Sequence, residues 1–396
     1  TTPILHNQDG QILVVTGENT SAGSGVLKLD IDNITHTGTG VIASSGTLVM
    51  NTNNLLSDAL ISAEGMATIN ADSVALQSNS QLLTGDLNLQ STTLTNAGVL
   101  SAENTQIHAT TVINAGQIAI AGDVQLTATD FVNTQGSVQV TNNIDVDVAS
   151  LNNTEGQILS NGIATLNATE LLNQQGQIGA QQLTLNIANI DNTNAGQLFG
   201  EQTLTINTAS LISNGEVSGA QLVLQAQNLT QHESAVLSAN QLTLDANTVE
   251  NAGTINTIEG VITLDNFNNT GTLQAQNSLA LRSDALTNQG TIVSEGTLGI
   301  SANTGALSLE NAGTIGAGQL NIDVEQLNNQ ADAVLGAYGE LGNTLTLNVA
   351  QTLSNAGSIY NGGESGSIEA NIITNNGQIE HTGTGVLTLD AQRIEN

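Results

Sequence analysis

The sequence contains no cysteine and no tryptophan, a single proline (Pro3), and only five aromatic side chains among 396 residues. Without thiols there are no disulfides, no metal–thiolate centres and no cysteine nucleophile. The same absence fits secreted proteins that stay unfolded before export. Basic residues are almost missing: Lys28, Arg282 and Arg393 stand against 35 acidic residues, for a net charge of −32. Nucleic-acid binding relies on Lys and Arg neutralising phosphates, so this composition excludes it. Electrostatic docking to an anionic membrane is excluded on the same ground. No apolar run reaches the ~18 residues of a membrane-spanning helix, so no membrane insertion is expected. The opening Thr1-Thr2-Pro3-Ile4-Leu5-His6 has neither a basic nor an apolar stretch of the signal-peptide kind. The pattern is already running at both ends, with Val386-Leu387-Thr388-Leu389-Asp390 as the last strand, so the chain is expected to be an interior piece of something longer.

What the sequence does hold is a period. Glycine is abundant, with 41 residues, and the apolar share is mostly Ala, Leu, Ile and Val set among Thr, Asn, Gln and Ser. Regular spacing of β-branched residues and Leu is not a disordered composition. Residues 151–210 read as three lines of twenty in which Gly156, Gly176 and Gly196 share a column. Gln157, Gln177 and Gln197 form the next column, then Ile158, Ile178 and Leu198. Thr165-Leu166-Asn167, Thr184-Leu185-Asn186 and Thr205-Ile206-Asn207 form another, shifted by about a residue. Residues 1–90 carry the pattern loosely, 91–330 regularly, 331–342 form an irregular insertion or loop, and 343–396 resume it. No compositional break marks a linker, so one continuous domain is expected over 1–396.

Within each period the apolar residues alternate, which is the strand period. Asn-Gly and Asn-Ala-Gly punctuate short strands, and Gly and Asn there are expected to supply positive φ. Hairpins in an antiparallel sandwich are the competing arrangement. They give no reason for the same residue types to recur every twenty positions, whereas a coil stacks like on like. The expected fold is therefore all-β, a parallel β-helix of about 20 coils with roughly 20 residues per coil, rising ~4.8 Å at each coil. Such a solenoid is held together by neighbouring coils, since one coil alone cannot offset its ordering entropy.

The string L-x-N-x-x-G-x-I followed by T-L-N-A resembles the haemagglutinin repeats of two-partner-secretion exoproteins, the filamentous haemagglutinin family and the related CdiA proteins of contact-dependent inhibition. The resemblance covers essentially the whole chain and is sharpest over residues 96–323. It implies a right-handed β-helix, an outer-membrane two-partner-secretion transporter as export partner, and a location secreted or on the Gram-negative cell surface. The implied function is an extracellular structural rod that projects a binding or toxin-delivery tip. The alternative is that the segment is itself adhesive, binding a host or bacterial receptor or a polysaccharide. An Asn-Pro-Asn export motif is absent, and Val249-Glu250-Asn251-Ala252 is not the VENN pretoxin motif.

Some parallel β-helices are polysaccharide lyases and hydrolases, whose chemistry needs paired carboxylates with contrasting environments. Asp145 and Asp147 share a strand, and Asp245 and Asp265 are expected to stack one coil apart. With no Arg, Lys or His beside them, these read as solvated acidic faces, so no enzymatic activity and no cofactor are expected. His6, His36, His108, His232 and His381 share no metal-ligand spacing and read as surface residues. Aromatic rings offer the remaining candidates: Tyr338, Glu340 and Tyr360 are the expected contact residues, because residues 331–342 are the best candidate for a protruding loop. One oddity is His36-Thr37-Gly38-Thr39-Gly40-Val41, repeated as His381-Thr382-Gly383-Thr384-Gly385-Val386. It reads either as a favoured turn or as part of a longer duplication.

Overall fold

The structure is a computed structural model that describes residues 3–15, 25–338 and 344–396. It falls into two compact units, Thr1–Glu201 and Gln202–Asn396. The described residues form strands and turns without a helix, and the paired strands run parallel as turns of a β-solenoid.

In the first unit one turn consists of Ser137–Val140, Ile144–Asp147 and Ser150–Asn152. These strands lie in register on Gln117–Ile120, Val124–Thr127 and Asp130–Val132 of the turn before. Each turn therefore has three sides. Where the corners stay extended, the sides fuse: Ile163–Leu172 covers two of them and Gln177–Asn192 runs 16 residues through all three. Alternation decides which side chains enter. Ile158 stacks on Ile178 and Leu166 on Leu185, and none of these is more than 1% exposed. The expected columns are thus real, including the one-residue shift: Gln157 pairs with Gln177, whereas Thr165 pairs with Thr184.

The second unit repeats this with long strands. Glu216–Gln231, Val236–Asn251 and Thr254–Asn269 each have 16 residues and pair along their length. Over both units there are about 18 turns of about 20 residues, against the 20 expected. Longer turns absorb the difference: neighbouring core asparagines are 18 residues apart at Asn96 and Asn114 but 26 apart at Asn329 and Asn355. Within residues 331–342, Val334–Ala337 is an ordinary strand between Thr314–Ala317 and Ser358–Asn361.

The turn chemistry differs from the sequence expectation. Among described residues Gly38 alone of the glycines has positive φ, at 70°. The left-handed positions include Gln135, Glu155 and Gln175, each one residue before a signature glycine with φ of 55–58°, and Asn194 at 54°, an asparagine that does meet the expectation. Gly156 and Gly176 are needed for a different reason: a Cβ there would overlap the backbone oxygens of Asn133 and Asn153 in the turn below. Close stacking, not backbone handedness, selects glycine at this column.

Candidate functional site

The asparagine of the repeat signature builds the most ordered polar feature of each unit. In the first, the Nδ2 of Asn96 donates to Oδ1 of Asn114 at 2.8 Å, and the relay continues through Asn133, Asn153, Asn173 and Asn192 at 2.7–2.8 Å. Each donor's second hydrogen goes to a backbone carbonyl one turn on, from Gln117 to Gln197, at 3.0–3.3 Å. The second unit holds its own ladder, from Asn251 through Asn269, Asn288, Asn311, Asn329, Asn355 and Asn375 to Asn396, at 2.7–2.9 Å. Apart from the terminal rungs Asn375 and Asn396, these side chains are essentially inaccessible. Buried amides need such partners, and here each supplies its neighbour's.

The first rungs are incomplete. Asn96 and Asn251 each keep a buried Oδ1 without a partner, because Leu76 and Gln231 occupy the position one turn earlier. The Gln231 amide is itself buried with neither polar atom bonded. The near-match to a pretoxin motif around Val249 has a structural explanation: its Asn251 is the first rung of the second ladder.

His36 corrects the expectation that the histidines are surface residues. It is fully buried in the same column, two turns before Leu76. Its Nε2 lies 2.8 Å from the carbonyl of Leu60, which places the ring hydrogen there, and Asn7 Nδ2 donates to Nδ1 at 3.2 Å. His381 repeats the pairing with Asn361 at 3.2 Å, but it ends the side Gln378–His381, whereas His36 lies in Asn33–Thr37 on another side of its turn. The duplicated hexapeptide therefore turns two different corners with one local device, an asparagine directly beneath a histidine. That is the favoured-turn reading.

The acidic pairs singled out in the sequence do not come together as reactive pairs. Asp145 and Asp147 both face outward on their strand. Asp245 pairs with Thr263, so Asp265 is not its stacking partner and that expectation fails. Carboxyls with shifted titration are explained by local bonds. Thr39 backbone and hydroxyl groups hold Asp9 below the usual range, and Thr304 with its neighbours does the same for Asp284. Burial pushes Asp191 up, but bonds from Thr193 and Gln174 outweigh it. Among the described residues no group of His, Asp and Glu is arranged to hold a metal ion. One open groove of about 750 Å³ follows a corner of the first unit, lined by Asp30, Asp32, Asn51, Asp72, Gln90 and His108 among others. Its rungs bond to one another, as Asn51 does to Asp30 at 2.6 Å.

Of the expected contact residues, Tyr338 and Tyr360 do come together. Their ring centroids are 5.6 Å apart with planes inclined by 24°, and Tyr338 is half exposed. Burial together with Tyr360 raises the Tyr338 phenol above its ordinary 10.0, so it stays neutral at physiological pH. Glu340 lies outside the described residues. The other rings are structural: Phe131 and Phe267 sit in the core, and Phe199 covers Gly179 of the preceding turn. Hydrogen-bonded stacking of asparagines is what a coil of this period allows, and the structure identifies the signature asparagine as the residue that stacks. Its fixed distance from the signature glycine was the available signal.

A solenoid of parallel turns with stacked asparagines defines a class, the repeat-built β-solenoid. Comparison with known proteins specifies it. The haemagglutinin-repeat family model matches residues 179–231, 217–266 and 237–315. The chain is 29% identical over 279 residues to the deoxyribonuclease CdiA of Dickeya dadantii, covering 68% of this chain and 8% of that protein. It is 26% identical over 354 residues to the toxin CdiA of Escherichia coli (85% and 10%), and 31% identical over 372 residues to the 16S rRNA endonuclease CdiA of Enterobacter cloacae (89% and 10%). No solved structure gives a significant match. The chain is a haemagglutinin-repeat segment of the filamentous haemagglutinin and CdiA type. It spans about a tenth of the length of the relatives it matches.

Proposed function

We propose that this segment is a non-enzymatic length of stalk in a large secreted adhesin or contact-dependent inhibition protein. Export runs through an outer-membrane two-partner-secretion transporter, and the segment, displayed outside a Gram-negative cell, holds a binding or toxin-delivering region away from the surface. The observation that carries this reading is the ladder. Its polar groups are spent on the turn above or below, which is the chemistry of a structural column. Removing one whole period, residues 154–173, brings Asn153 into register with Asn192 and should leave adhesion or delivery by the parent protein within about twofold. Loss of that activity with normal export would overturn the stalk reading.

A second reading is favoured by the exposed tyrosine pair: the segment is itself adhesive. Binding of the isolated chain to target cells that falls on Tyr338→Ala supports it, and equal binding by both chains argues against it.

A further inference from the structure

Aromatic rings are rare in this protein, yet two of its five share one outward patch. The column beneath them runs Val293, Gly316, Gly336, Tyr360 and Glu380, one residue per turn. Two successive glycines leave a floor without side chains, and the Tyr338 ring fills it. A Cβ on Gly316 would lie 2.5 Å from Tyr338 Cε2, and one on Gly336 would lie 3.1 Å from its Cζ. Aromatic cover over a glycine in the neighbouring strand is a known stabilising device, and Phe199 over Gly179 uses it with a single ring. Here there is more than cover. A second ring stacks on the first, Tyr360 Oη is fixed by Thr382 Oγ1 at 2.9 Å, and half of Tyr338 still faces solvent. The exposed carboxylate of Glu380 follows Tyr360 in register.

The electrostatics of the patch are one-signed. The aromatic faces carry negative quadrupole charge, Glu380 adds a carboxylate, and the chain as a whole bears −32. The two basic residues of this unit lie on other sides of their turns: Arg282 pairs across to Thr263 and Ser301, and Arg393 to Ile372. No cation of the described unit fills the site.

We propose that Tyr338, Tyr360 and Glu380 form a docking site for a basic side chain, arginine in preference to lysine, carried on an exposed segment of a partner protein. A guanidinium is planar and weakly hydrated, so it stacks on a tyrosine face while bonding a carboxylate. The surrounding negative field speeds its approach. A neutral sugar gains nothing from that field, and a sulfated one is repelled by it. The site rests on the adhesive reading above, and its failure leaves the stalk reading intact.

The protein supplies its own probe. With no tryptophan and only these two tyrosines, tyrosine emission reports this patch alone. The full chain is titrated with an oligo-arginine peptide at ~0.15 M salt, where long-range attraction is screened beyond about 8 Å. A saturable emission change is expected, with weaker binding by oligo-lysine. By calorimetry, Tyr338→Ala should weaken the arginine peptide about five- to thirty-fold. Gly316→Ala, which keeps both rings but displaces Tyr338, should lower affinity as well, and Tyr360→Phe should keep most of it. Glu380→Gln removes an exposed charge while keeping an amide oxygen for Gln378 Nε2, which now donates to the carboxylate at 3.0 Å, and should weaken binding about two- to fivefold even if an aromatic variant misfolds. Unchanged affinity in Tyr338→Ala and Glu380→Gln, no emission change on saturation, or a response to a neutral dextrin instead of the peptide would each overturn the proposal.

Discussion

Gln231 is the residue that most clearly breaks the local rule. It occupies the ladder column, is 1% exposed, and leaves both ends of its amide unbonded beside an equally unpaired Asn251 Oδ1. Glutamine is one methylene too long to repeat the asparagine geometry. Gln231→Asn would bring Nδ2 to the distance at which its neighbours meet, 2.7 Å at Asn251 and Asn269. Completing a buried bond of this kind is worth about 1–2 kcal/mol, so the urea midpoint of the variant should rise; a fall would show that the longer side chain is needed there. The sequence announces Asn96, Asn114 and Asn133 by their fixed distance from glycine, but it assigns them to turns. Spacing reveals a period without revealing which atoms meet. The reason for the glycines was hidden in the same way, since overlap with a carbonyl 23 residues away, as between Gly156 and Asn133, has no local signature.

At the scale of the strand, alternation decides everything that stacking later uses. Ile178 and Leu185 point inward and are fully buried, whereas Gln177 faces out and bonds Gln197 at 3.2 Å. An aspartate at Ile178 or Leu185 would place an unpaired charge between apolar neighbours on two turns. It should cost several kcal/mol, on the order of 3–5, or shift the carboxyl far from its normal titration. Gln177→Asp should change stability by no more than about 0.5 kcal/mol. Thermal or urea denaturation of the three variants decides the matter, and equal tolerance would mean that these columns are not a core. This level was legible beforehand, because the two-residue period of a strand and the twenty-residue period of a coil leave independent marks. Turn length was less legible: the 26-residue step to Asn355 contains an ordinary strand, Val334–Ala337, hidden because its Val-Leu-Gly-Ala follows no asparagine–glycine signature.

For the whole chain the dominant quantity is charge. Among the described residues the ion pairs are Lys28 with Asp30 at 2.7 Å and Arg393 with Glu395, both exposed. Most of the 35 acidic groups therefore repel one another without compensation. Stability is expected to rise as salt goes from about 0.01 M to 0.15 M, since the screening length falls from ~30 to ~8 Å. A melting temperature independent of salt over that range would show that the turns hold the carboxylates too far apart to matter. Net charge was plain from composition. The burial of His36, bonded to the Leu60 carbonyl, was not, because a histidine in a loosely repeating stretch looks like any polar residue.

The ladders also have a grammatical direction. Every rung between the first and the last gives its hydrogen to the turn that follows and takes one from the turn before, as Asn153 does between Asn133 and Asn173. A column of this kind can be read only one way. A finished turn presents an open donor to the chain that comes next, whereas the opposite end presents a bare acceptor, as at Asn96 and Asn251. Turns laid down in sequence order are thus dictated one at a time by the turn already in place, like lines set against the margin of the line above.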